Sequence, residues 1–386
     1  MKSLTSRTAL PPMAGYGSVI DRLVMTDCRI LFITRKWAPA MGGMETYSMR
    51  LSEALAKAYP TAVIALPGCS DGMPPSPWRL LAFPFSAALD VVAARYRPQV
   101  LHLADLAIWP LAALAVLCGR PTIAISAHGT DVAYHRRGGI RGRLYGAYLR
   151  LGASLLRNAA VIANSHATAD VLRETGWHSV VVPLATDIEA PPANGTHNRR
   201  LLFAGRLIER KGCGWFIREV LPLVPDEIEL DIAGTGWSDQ EIAALNDRRV
   251  HFLGPLDKEA LTAAYHTALA VVVPNIPMAN GEYEGFGLVG AEAAAAGGLV
   301  LASDCDGLRD AVQNGVTGTL LAPADPMAWA NAIRALDTLP ETERCAQLAR
   351  SQAQAKAIYS WDRVAGDTIN AYPLIARTTE KANRQC

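Results

Sequence analysis

Twice along this chain, short apolar runs alternate with amphipathic helical stretches, and a single Pro/Gly break separates the two series. In the first series the runs are Arg29–Thr34, Ala62–Leu66, Val100–Leu103, Thr122–Ser126, Ala160–Ala163 and Val180–Val182. They are too continuously apolar to keep one wet face. Strands buried on both faces belong to parallel sheets, whose neighbours are joined by crossover helices that cover them. One such helix is expected from about Glu45 to Tyr59, where Tyr47, Leu51 and Leu55 recur at helical spacing. The break, Ala190-Pro191-Pro192-Ala193-Asn194-Gly195-Thr196, has the composition of a linker. The pattern then restarts with Arg200–Ala204, Glu229–Ala233, Val250–Leu253, Ala270–Val273 and Leu299–Ala302. The expected fold class is α/β: two doubly wound parallel-sheet domains, 25–190 and 196–360. They face a deep cleft at the carboxyl ends of their strands, where ligands of such sheets bind.

Composition narrows the function. A formal net charge of +1 excludes gross electrostatic capture of nucleic acid. The seven Cys (28, 69, 118, 213, 305, 345 and 386) are scattered and never spaced Cys-x-x-Cys. This argues against a disulfide framework or a structural zinc site, and for a reducing, cytoplasmic compartment. Residues 1–24 have neither the apolar core of a signal peptide nor that of an anchor, and are expected to be a disordered extension. Both Met1 and Met25 stand as candidate starts. The longest apolar run, Leu106–Cys118, contains Pro110 and is too short to span a bilayer.

Chemistry-bearing residues cluster where strands give way to helices. The segment from Glu284 to Glu292 brackets a Gly-rich helix start with two carboxylates. Backbone amides of Phe286, Gly287 and Leu288 are expected to be the unpaired donors of the first turn, where anions bind. Eight residues of helical rise would separate the two Glu by roughly 12 Å if all are helical, about the distance between the two ends of a sugar nucleotide with a phosphate in between. A helix with one capping and one surface Glu fits the spacing equally. Gly42-Gly43 follows the first strand and would let backbone approach a phosphate, although a simple turn also explains it. Arg206 and Lys211, after Gly205, offer a diphosphate clamp or a solvated basic turn. His128 ends the strand Thr122–Ser126 and could donate to a sugar hydroxyl or to developing charge. A structural His capped by Asp131 is the alternative.

The order of these segments resembles the retaining, GT-B-fold glycosyltransferases of family four (glycosyl transferases group 1). The likeness runs over residues 28 to 375. It rests on Gly42-Gly43-Met44-Glu45, His128-Gly-Thr-Asp131, Phe203-Ala-Gly-Arg-Leu207 with Lys211-Gly212, Ala233-Gly-Thr-Gly236 and the Glu284-to-Glu292 pair. Asp306 to Gly318 is similar to the family's segment closing the nucleotide pocket. Ser360-Trp361-Asp362-Arg363-Val364 is similar to the start of its last helix, so 361–386 would pack back on the N-terminal, acceptor-binding domain. The resemblance implies two Rossmann-like domains, a nucleotide-sugar donor, a glycan or polyprenyl-linked acceptor, and no metal or other cofactor. Glu292 would hold the ribose and Arg206 and Lys211 the diphosphate. Glu284 and the amides of Phe286, Gly287 and Leu288 would hold the sugar and its phosphate. Gly42, Gly43 and Gly205 would line the donor, with Gly43 approaching the phosphates from the N-terminal domain, and His128 would lie near the reacting carbon. His128, Glu284, Arg206 and Lys211 are the catalytic candidates; no protein nucleophile is implied.

Two other function classes remain open: a nucleotide-sugar 2-epimerase of related architecture, and an inactive nucleotide-sugar-binding subunit. The loop 275–283 is expected to be a specificity element beside the donor sugar, with Glu282 a participant. From Val132 to Ala169 there is no acidic residue but six Arg: 136, 137, 141, 143, 150 and 157. Such a basic amphipathic stretch suits an anionic membrane, or equally a solvated helix flanking the cleft.

Overall fold

The computed structural model describes residues 29–40, 42–69, 75–92, 98–118, 121–192, 197–236 and 238–372. The expected N-terminal extension, the second half of the linker and residues 373–386 lie outside them. The first series of apolar runs forms six parallel strands: β1 (Ile30–Trp37), β2 (Thr61–Pro67), β3 (Val100–Leu103), β4 (Thr122–Ala127), β5 (Ala160–Ala163) and β6 (Ser179–Val181). Their order in the sheet is β2-β1-β3-β4-β5-β6. Helices α1 (Gly43–Ala58), α2 (Pro77–Val92), α3 (Trp109–Cys118), α4 (Thr130–Ala133), α5 (Gly139–Leu155) and α6 (His166–Glu174) connect them.

The second series repeats the scheme with β7 (Arg200–Ala204), α7 (Cys213–Trp215), β8 (Glu229–Ala233), α8 (Asp239–Ala243), β9 (Val250–Gly254), α9 (Lys258–Thr267) and β10 (Ala270–Val273). It continues with α10 (Leu288–Ala295), β11 (Val300–Ser303), α11 (Leu308–Ala311), β12 (Thr319–Leu321), α12 (Pro326–Asp337), α13 (Glu341–Ile358) and α14 (Trp361–Asn370). This sheet runs β12-β11-β10-β7-β8-β9. The edge strand β12 was not expected. Three residues of intermediate burial carry too little apolar periodicity to stand out.

Both sheets are covered on both faces, as continuous apolar strands require. Leu31, Ile33, Leu101, Leu103 and Ile125 pack under α2, α3 and α5, whereas Ile30, Phe32 and Val100 face α1. The chain then returns. Helix α14 lies against α1, Trp361 donates its indole N–H to Asp187 at 2.8 Å, and the fully buried Tyr372 shares a 2.6 Å hydrogen bond with His102 of β3. Burial pushes the His102 imidazole down to about 3, so it stays neutral inside this network. Among the described residues no helix is long and apolar enough to cross a membrane.

Candidate functional site

The loops after β1, β4, β7 and β10 meet between the two sheets, and glycine sets how closely. A Cβ on Gly285 would stand 2.1 Å from the carbonyl oxygen of His128, and one on Gly43 would stand 3.2 Å from Leu288 Cδ1. Gly43 of the first unit therefore abuts the Leu288 side chain of the second, while the His128 carbonyl abuts the backbone at Gly285 and leaves no room for a side chain there. Gly42 is extended and exposed, and a Cβ there would meet the Glu45 carboxylate. Gly205 follows β7 at φ 147° and donates its amide to Ala233 O. Its own carbonyl lies where a Cβ on Gly234 would have to sit.

Glu284 is the electrostatic centre. Its carboxylate bonds Lys211, Arg210 (2.6 Å) and Asn275 (3.0 Å). Burial alone would raise its pKa, but Lys211 and Arg210 outweigh it and hold the carboxyl at about 2. Its backbone is clamped as well: the amide donates to Asp306 at 3.1 Å, and its carbonyl accepts from Gly307 at 3.0 Å. Burial pushes the Asp306 carboxyl up. Glu292 lies on α10 in a different setting. It accepts from the Tyr265 hydroxyl at 3.1 Å, and burial raises its pKa, offset only in part by that bond.

His128 is buried. Its Nε2 donates to Ala104 O at 2.9 Å and its ring meets Tyr47 edge-on at 4.4 Å. Asp131 Oδ1 accepts from the amides of His128 (3.0 Å) and Gly129 (2.8 Å), so the capping expected of Asp131 is present. The capped group is the loop backbone, while the ring is pinned by Ala104.

One expectation needs correction, and two others gain partners that the sequence did not show. Helix α10 starts at Leu288 with Gly287 as its cap in the left-handed region, so its first-turn amides begin at Leu288; Phe286 precedes the helix and its side chain is core. The path from Glu284 to Glu292 is thus only half helical, and a separation reckoned from continuous helical rise does not apply. Lys211 is paired with Arg210 around Glu284, while Arg206 is exposed at the end of β7. Arg210 went unnoticed because one more cation in a basic turn carries no periodic signal. The loop 275–283 starts beside Glu284, through Asn275, and also crosses to the first unit. Tyr283 packs there with its hydroxyl 3.1 Å from Thr168 and with Arg136 over its ring, and Glu282 reaches Arg137 at 3.7 Å. Asp310 adds a second crossing contact, capping α6 through the His166 amide (2.9 Å) and ring (2.6 Å).

Among the described residues no three His, Cys, Asp or Glu side chains come together as metal ligands would. A cavity of about 1200 Å³ lies between the units on the linker side, walled by Arg50, Asp187, Lys258 and Trp361 rather than by the Glu284 cluster.

Two facing, doubly wound units with a glycine-lined cleft between them have the GT-B architecture. Sequence comparison agrees: residues 41–190 match the model described as Glycosyltransferase Family 4, and residues 198–338 that described as Glycosyl transferases group 1. The chain belongs to this family. It is 32% identical over 311 residues to a glycogen synthase of Mycobacterium tuberculosis, covering 74% of this chain and 71% of that protein. A D-inositol 3-phosphate glycosyltransferase of Salinispora tropica is 40% identical over 124 residues, 32% of this chain and 24% of that protein. In fold the chain is similar to Anabaena HepE in complex with UDP-glucose (TM-score 0.65, 20% identity, 92% of this chain and 99% of that one). It is also similar to a sucrose-phosphate synthase of Thermosynechococcus elongatus (TM-score 0.69, 21% identity, 91% and 100%).

Proposed function

We propose that this glycosyltransferase is retaining and moves a hexose from a nucleoside-diphosphate sugar to a glycan or polyprenyl-linked acceptor. The setting would be bacterial cell-surface polysaccharide synthesis at the inner face of the cytoplasmic membrane. The observation that carries this is the Glu284 cluster, an ionised carboxylate held by the buried Arg210 and the half-buried Lys211 beside Gly285, whose backbone abuts the His128 carbonyl. A diphosphate is a richer acceptor for Lys211 than one carboxylate oxygen. Exchange would free Glu284 for sugar hydroxyls while Lys211 and Arg206 neutralise the leaving group. First-turn amides of α10 supply further donors to phosphate. Glu292, already desolvated and hydrogen-bonded to Tyr265, suits ribose hydroxyls.

In the step so assigned, the bond from the anomeric carbon to the diphosphate oxygen breaks. The acceptor oxygen bonds that carbon on the same face, and its proton passes to the departing phosphate. No side-chain nucleophile is used, and leaving-group neutralisation falls to Arg206 and Lys211 rather than to a bound metal. His128 would border the reacting carbon through its free ring edge and its carbonyl at Gly285. Anabaena HepE, similar in fold, is in complex with UDP and with UDP-glucose, which supports a nucleotide-sugar donor. A thermal-shift screen with GDP, UDP, ADP and their sugar conjugates tests the proposal. One of them should stabilise the protein by about 3 kcal/mol at ~100-fold excess over Kd, and no shift with any of them overturns it.

A further inference from the structure

We infer that the outer face of the first unit, formed by α2, α3 and α5, docks on an anionic lipid bilayer, with an apolar row of α2 entering the acyl region. This deepens the membrane-linked acceptor proposed above and rests on it only for its purpose; the surface stands by itself.

Helix α2 divides sharply. Phe83 and Ala87 are buried against the sheet, whereas Trp78, Leu81, Phe85 and Leu89 are 81%, 63%, 75% and 71% exposed. At 100° per residue these four fall within an arc of roughly 80°, opposite Phe83 and Ala87, as a ridge about 16 Å long. Helix α5 does the same: Ile140, Leu144, Leu151 and Leu155 are exposed, while Gly142, Gly146 and Leu149 face inward. Both helices cover the same face of the first sheet, and α3, with exposed Leu117 at its end, touches each. Their outer sides therefore look the same way, and about half of the large exposed apolar side chains of the described residues share this surface. A ridge of that size left in water needs an occupant.

Charge selects it. Arg141 stands on one flank of the α5 row and Arg143 and Arg150 on the other. Among the described residues these three and Arg157 make no ion pair, in contrast to Arg136 with Glu174. Asp90 is the only acidic residue on the three helices. Apolar rows flanked by unpaired Arg suit a phosphate-bearing interface, where guanidinium groups stay at the headgroups while Trp and Phe go deeper. A protein partner's core would be depleted of such charge.

Sedimentation with phosphatidylglycerol-containing vesicles, against phosphatidylcholine alone, tests this. The protein should bind the anionic vesicles at low salt and lose binding as salt rises. The Phe85→Ser/Leu89→Ser pair and the Arg141→Gln/Arg143→Gln/Arg150→Gln set should each weaken partitioning by about tenfold or more, with melting temperature and nucleotide binding unchanged. Absence of binding to anionic vesicles overturns the inference, as does binding indifferent to the α2 pair. A solution dimer dissociated by the α2 pair would make the face a subunit contact instead. Nucleotide binding is read separately, so the donor chemistry survives or fails by its own result.

Discussion

Glu284 and Glu292 stand eight positions apart in one loop-and-helix segment, yet the protein pushes them in opposite directions as acids. Burial would raise both. At Glu284 the Lys211 and Arg210 charges reverse it to about 2; at Glu292 the Tyr265 hydroxyl offsets only part of it. One carboxylate is held as an anion by cations, while at the other burial disfavours the charged form.

Stability should show this contrast. The folded pKa of Glu284 lies below its unfolded value near 4.3, so its contribution is present above that pH and is lost as pH falls towards 2. For Glu292 the folded value is raised, so stability is present below about 4.3 and lost as pH rises through the folded value. At pH 7.5, Glu284→Gln should destabilise by about 3–5 kcal/mol, because it leaves the buried Arg210 and the half-buried Lys211 without a counter-charge. Glu292→Gln should be neutral or stabilising. Thermal melts at pH 7.5 and pH 4 check both signs, and equal losses for the two variants would contradict the assignment.

The same pair should divide in function. Glu292→Ala is expected to raise the nucleotide Kd about tenfold or more with a smaller effect on turnover. Glu284→Ala should lower kcat by about 10²–10³-fold with nucleotide Kd within a few-fold. Calorimetric titration beside initial rates separates the two.

Gly285 tests the closeness of the units. An added Cβ meets the His128 carbonyl oxygen at 2.1 Å, and neither backbone can yield without opening the cleft. Gly285→Ala should cost about 1–3 kcal/mol of closure and reduce kcat, while each unit keeps its own fold. Small-angle scattering should report a larger radius of gyration. An unchanged radius with full activity would count against it.

Tyr283 is expected to be a latch. Tyr283→Ala removes its packing, the Thr168 hydrogen bond and the Arg136 contact together. Roughly 2 kcal/mol of closure should go with it, seen as a raised donor KM and faster proteolysis between the units. Tyr283→Phe should recover most of the loss. If both variants behave like the parent, the loop has no such role.

Much of this was legible in the linear pattern. The runs Val100–Leu103, Ala160–Ala163, Arg200–Ala204, Glu229–Ala233 and Ala270–Val273 coincide with β3, β5, β7, β8 and β10, because a strand buried on both faces writes an unbroken apolar signal. The helical reach of Glu284–Leu288 was not legible. Gly287 adopts the left-handed conformation that starts α10 late, and Leu308 occupies the space of a Cβ there, so both features call for glycine at this position.

The sequence by itself determined the two parallel sheets, the break between them and the loops that carry charge and glycine, since each depends on local periodicity or on one residue's conformational freedom. Only the tertiary structure decided which partners those charges take. Lys211 turns to Glu284 beside an unforeseen Arg210, Tyr283 crosses to Thr168, and Asp310 caps a helix of the other unit. Each of these joins residues tens or hundreds of positions apart, and whether a cation meets a carboxylate at such separations is set by how two folded surfaces dock, which no spacing along a chain encodes.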